Sequence, residues 1–198
     1  MQTLGLSSET QRSDGRLKSL LWPTVENAWD VDYLGQQGMW ICTLVAVALL
    51  LQALLTGNPL IIGIGVLAAL FYLMGGMGVR QGSWPAAAMV LAVYGLEVMA
   101  QAAQLQFPNI FRIAITLVLL SNLRATFLAS EWRPAAEDED RPTRFNDTLA
   151  DKFVDQMPAK CWPALQIPFI VLGVLMLIFT LLGLGLIFAN RFGLLPHK

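Results

Sequence analysis

Glu97 has more chemistry to offer than any other residue of this chain, because of where it stands. It lies in the middle of the apolar run Pro85–Gln106, with Tyr94 one turn before it and Gln101 and Gln104 one and two turns after it. Those offsets put all four side chains on one helical face. A charge at the centre of a membrane helix costs at least ~2.5–3.5 kcal/mol on insertion scales, so such a face turns towards other helices or a small wet cavity. One reading makes the stripe a proton or ion site centred on Glu97, or a seat for a polar headgroup. The other makes it interhelical glue, a protonated Glu97 and glutamine amides bonding across a bundle or to another subunit. The sequence favours glue, since transport sites built on one carboxylate usually bring more polar partners.

Arg112 completes this candidate polar site of Glu97, Gln101, Gln104, Tyr94 and Arg112. It sits about one turn into the next apolar run, at the level of Gln104, and Glu97 lies ~9 Å deeper by helical rise. A direct pair therefore needs a long reach, and Arg112 is expected to snorkel to the interface. Arg124, beside Ser121 and Asn122 at the other end of that run, is expected to snorkel as well or to bond backbone carbonyls.

No other constellation carries chemistry. There is no Gly-x-Ser-x-Gly, no phosphate-binding loop and no His-Glu-x-x-His. His197 is the single histidine, which argues against haem or zinc held by imidazole. Cys42 and Cys161 fall near the same, cytoplasmic-type face, where a structural disulfide is not expected. The sequence therefore points to no catalytic residue, no metal site and no identifiable cofactor.

The elements that position these residues are apolar runs, each long enough to cross a bilayer: about Met39–Thr56, Pro59–Val79, Pro85–Gln106, Pro108–Ser130 and Ala164–Ala189. About 20 apolar residues at 1.5 Å rise span a ~30 Å hydrocarbon core. With 56% hydrophobic and 14% charged residues, the chain is far from the composition of a soluble domain. A net charge of −1 gives no bulk attraction to nucleic acid. No cleavable leader is visible before Met39, so the first span is expected to serve as its own insertion signal.

Gly57-Asn58-Pro59 reads as a tight turn, with Pro59 opening a helix. Gln81-Gly82-Ser83-Trp84-Pro85 reads as a short loop, with Pro85 starting the third span, and Gln106-Phe107-Pro108-Asn109 as another tight turn. The expected fold is all-α: a polytopic bundle of about five spans, two tight hairpins plus a C-terminal span, with a short amphipathic loop helix. The corresponding divisions are a polar, interfacial segment at 1–37, a four-helix region at 38–130, a polar loop at 131–163 and a fifth span with its tail at 164–198.

Within the loop, Phe145, Leu149, Phe153 and Met157 recur every four residues, with Val154 alongside and Pro158 as the stop. This is a candidate face for the membrane surface, for a partner or for the chain's own bundle. Asp151 and Asp155 read as the solvated side of that helix, and the acidic run Glu137–Asp140 as a solvated linker.

Charge sets an orientation. Arg12, Arg16, Lys18, Arg80, Arg133, Arg141, Arg144, Lys152 and Lys160 fall on one side of the five spans, and only Arg191 and Lys198 on the other. The positive-inside rule then places the N-terminus in the cytoplasm and the C-terminus outside, in the cell's inner (plasma) membrane. Trp22, Trp29, Trp40, Trp84, Trp132 and Trp162 all fall near the cytoplasmic side, as an aromatic belt would. Gly65-xxx-Ala69 and Ala88-xxx-Ala92 fit close helix packing, as do Gly173, Gly183 and Gly185. Together these features predict a non-catalytic accessory or scaffold subunit that packs against other membrane subunits. A small proton-coupled or ion transporter centred on Glu97 is the alternative.

Overall fold

The computed structural model describes residues 18, 21–25, 28–104, 109–131, 149 and 152–192. Helix accounts for 91% of these residues, and none of them lies in a strand. Five helices are long and apolar enough to cross a membrane: α1 (Ala28–Leu55), α2 (Pro59–Arg80), α3 (Trp84–Ala103), α4 (Ile110–Glu131) and α5 (Met157–Arg191). The all-α bundle expected from the apolar runs is what the chain forms.

Turn chemistry explains the tightness of the α1–α2 hairpin. Gly57 takes φ +66°, a conformation that a side chain would strain. Asn58 then caps α2, its Oδ1 accepting from Leu60 N–H at 2.9 Å, with Pro59 in the first turn. At the other end of α2, Gly82 takes φ +71° and turns the chain into α3. The two ends of the bundle are called here the Asn58 end and the Arg80 end.

Helices α1, α2, α3 and α4 form a ring in chain order, α4 closing against α1, and α5 packs outside against α2 and α3. Small residues set the close approaches. A side-chain carbon on Gly65 would strike the Cβ of Ala53, so α1 and α2 touch almost backbone to backbone. Gly75 faces Val90 and Phe169, and Gly173 faces Met89 and Phe71. Phe71 and Phe169 stack with centroids 5.2 Å apart, and Trp162 meets Phe169 edge-on at 5.6 Å. This aromatic stack joins α5 to the ring.

Several boundaries differ from the sequence reading, for identifiable reasons. Helix α1 begins at Ala28, well ahead of Met39, and its extra turns bury Leu34 fully. A π-helical turn, Lys152–Gln156, runs straight into α5 at Met157. Pro158 therefore opens a helix instead of ending one; in a first turn its missing N–H breaks no bond. At 1.5 Å rise α5 is ~52 Å long, more than a ~30 Å core requires, so one end extends past the hydrocarbon.

The aromatic belt is also only partly interfacial. Trp22 and Trp84 are exposed, but Trp162 is buried in the core and Trp40 packs on Phe153 with centroids 5.7 Å apart. The side chain of Trp29, and Trp132, lie outside the described residues, as do Glu137–Asp140 and His197.

Candidate functional site

Two polar clusters are held by the bundle. The first lies inside the ring. Tyr72 on α2 and Tyr94 on α3 meet edge-on at 6.4 Å, both buried. The Glu97 carboxyl faces the Tyr72 hydroxyl, which has no other partner among the described residues. Cys42 on α1 is a further neighbour of Tyr72, and the charge of Arg112 on α4 is felt at both Tyr94 and Glu97. Helices α1, α2 and α3 thus contribute to one polar interior, within electrostatic reach of Arg112 on α4.

Of the stripe expected on α3, Tyr94 and Glu97 enter this interior. Gln101 is half-buried, whereas Gln104 is the exposed C-cap residue of α3 and lines nothing. Arg112 is half-buried, and its charge is felt at Glu97 without an ion pair between the two. Tyr72 is the member that the sequence reading missed. Its position on α2 is four residues before Gly76, and the only available signal was a tyrosine within an otherwise apolar run.

Towards the Arg80 end, Ser121 and Asn122 of α4 also point inward, both buried. Asn122 Nδ2 donates to Val118 O at 2.9 Å, while Ser121 Oγ and Asn122 Oδ1 have no hydrogen-bond partner. Leaving a buried polar atom unpaired costs ~1–3 kcal/mol, so this interior is built for more than apolar packing.

The second cluster is an ionic lock at the Arg80 end. The Arg80 side chain is only 9% exposed and bonds two carboxylates. Its Nη1 donates to Asp32 Oδ1 of α1 at 2.7 Å, and its Nε and Nη2 both donate to Asp155 Oδ1 in the π-helical turn. Asp155 is therefore not on a solvated face; it ties the segment before α5 to the end of α2. The apolar face expected around it divides accordingly. Phe153 packs against the core and Val154 is buried, while Leu149 is 87% exposed, Met157 is partly exposed, and Phe145 lies outside the described residues.

Arg124 bonds a backbone carbonyl, as its sequence position allowed: Nη1 donates to Pro23 O at 3.2 Å, with the Trp22 ring 5.2 Å from the guanidinium carbon. At the Asn58 end, Arg191 Nη1 donates to Ala103 O at 2.7 Å, so the last turn of α5 satisfies a carbonyl at the end of α3. Among the described residues, no three His, Cys, Asp or Glu side chains gather as a metal site would require. No protein-family model, no curated protein and no solved structure matches this chain, so its function has to be read from its own residues.

Proposed function

We propose that this chain is a non-catalytic multi-pass membrane protein that serves as an accessory subunit, docking other membrane helices along α5. The observation that carries the reading is how little of α5 its own bundle uses. Only 11% of its apolar window is buried, against 28–44% for the other four helices. Membrane helices place glycine where another backbone comes close. Gly75, Gly76, Gly78 and Gly173 do this within the chain, but a side chain on Gly183 or Gly185 would meet nothing. Around them Phe179, Leu182 and Leu186 are exposed. In this reading α5 approaches a partner helix there, and the ring of α1–α4 holds α5 in place.

The expected result is a companion protein retained through purification in mild detergent. Replacing both glycines by leucine (Gly183→Leu with Gly185→Leu) fills open space, so the chain's own thermal stability should stay within about 1 kcal/mol, in line with surface substitutions generally. Recovery of the companion should fall at least about tenfold, the equivalent of ~1.4 kcal/mol of lost packing. A wild-type chain that elutes with nothing but lipid and copies of itself would refute the accessory role.

The interior cluster favours a second reading, a proton-coupled or ion carrier. A carboxyl facing a buried tyrosine hydroxyl can pass a proton, and Arg112 supplies a nearby countercharge. Glu97→Gln keeps the shape and removes the titratable group. If the chain is a carrier, sealed vesicles containing it should show a pH-driven flux that this change abolishes. If it is an accessory subunit, no flux exists and companion recovery is unaltered or reduced.

A further inference from the structure

A shallow apolar groove of about 360 Å³ opens between α3 and α4 at the Arg80 end, lined by Trp84, Ala88, Leu120, Leu123, Arg124 and Phe127. Trp84 and Phe127 meet edge-on at 6.4 Å along one wall. Arg124 lines the groove with its apolar stem, and its guanidinium lies at the rim, held by Pro23 O and the Trp22 ring. Among the described residues no carboxylate pairs with Arg124, in contrast to Arg80 with its two. A guanidinium carries five N–H donors, and the contact with Pro23 uses one of them.

We infer that this groove is a binding site for an anionic phospholipid, with the phosphate on Arg124 and one acyl chain along Ala88, Leu120 and Leu123. Depth supports the assignment. Arg124 lies ~10 Å of helical rise from the end of α4, next to exposed Trp22 and Trp84, and indole side chains seek the headgroup layer. Charge complementarity selects the lipid class. A planar guanidinium bonds phosphate in two-pronged fashion, and a net-negative headgroup leaves no ammonium to repel it. Because Trp22 and Pro23 already hold the side chain, binding loses little of its rotamer freedom. The groove wall itself exposes no polar surface, which suits a hydrocarbon tail inside it with the phosphate at the Arg124 rim, and not a free phosphate ion.

The test uses the full chain in detergent, with phosphatidylglycerol and phosphatidylcholine offered at equal concentration and the retained lipid counted by native mass spectrometry. The expected result is about a tenfold preference for phosphatidylglycerol, the size of one charge-assisted contact of ~1.4 kcal/mol. Arg124→Gln should erase the preference, Arg124→Lys should keep part of it, and Ala88→Phe should lower retention by filling the groove. A phosphatidylglycerol with a photoreactive acyl chain, applied to the unaltered chain, gives a readout independent of any variant's folding. Its label should fall on peptides containing Trp84–Ala88 and Leu120–Phe127. Equal retention of the two lipids, or label concentrated on α5, would overturn the inference. So would a preference that emerges only after Glu137, Asp138, Glu139 and Asp140 are neutralised, since that would place the chain's own acidic run on Arg124.

Discussion

Arg80→Met should destabilise the solubilised protein by about 3–5 kcal/mol, the usual result of removing one partner from a buried ion pair. Arg80 is almost fully covered, and its partners Asp32 and Asp155 are 31% and 24% exposed. Without the guanidinium, both carboxylates lose the cation that ties α1, α2 and the turn before α5 together. Removing one acid is milder: Asp155→Asn should cost about 1–2 kcal/mol, because Arg80 keeps Asp32 and the amide still accepts a hydrogen bond. The lock joins α1, α2 and the turn before α5, so the effects should not add. Asp155→Asn in the Arg80→Met background should cost less than in the native chain, since the Arg80 contact that it would disturb is already gone. Reversible unfolding in mixed micelles measures all three. Cleavage by a protease near Lys152 adds a local readout, with Arg80→Met cut faster because the turn has lost its tether.

The second large effect is expected at Gly78. A Cβ there would run into the indole of Trp162, and the Ala86 Cβ stands only 2.6 Å away. Both neighbours are buried, and Trp162 is itself wedged against Phe169, so neither can retreat. Gly78→Ala should cost ~1–3 kcal/mol by overpacking. Gly78→Leu should lever α5 off α2 and prevent recovery of monodisperse protein. Gly183→Ala is the matched control. Its Cβ meets only open space, and alanine is the better helix former, so stability should hold or rise by up to ~1 kcal/mol. The same Gly-to-Ala change is thus expected to have opposite signs at two positions within apolar helices, and thermal denaturation of purified protein reads both.

The spans were legible because hydrophobic length is a property of the sequence alone, and the turns because Gly57, Asn58 and Pro59 carry their own backbone preferences. What was not legible depends on which helices become neighbours. Asp155 and Arg80 are far apart in the chain, and only the docking of the π-helical turn on α2 joins them; a local reading sees a solvated acid and an orienting charge. Trp162 reads as an interfacial tryptophan until Gly78 and Ala86 make room for its ring. Tyr72 gains meaning only when α2 and α3 bring it to Glu97, because nothing else on its own helix face is ionisable. Conversely, Ala88-xxx-Ala92 has the pattern of a packing face, yet Ala88 lines the lipid groove and Ala92 is exposed. Spacing shows that a helix can approach another there; it does not show that one does.

The proposed topology requires an odd number of membrane crossings, with the Arg80 and Asn58 ends of the bundle in different compartments. Single cysteines at exposed positions test this directly: Thr56→Cys and Asn190→Cys at the Asn58 end and Gln81→Cys at the Arg80 end, each in a chain carrying Cys42→Ala and Cys161→Ser. Intact cells treated with a membrane-impermeant maleimide should label positions 56 and 190, and position 81 should react only after the membrane is opened. Labelling of all three from the same side, or of positions 56 and 190 from opposite sides, would contradict the five-crossing bundle.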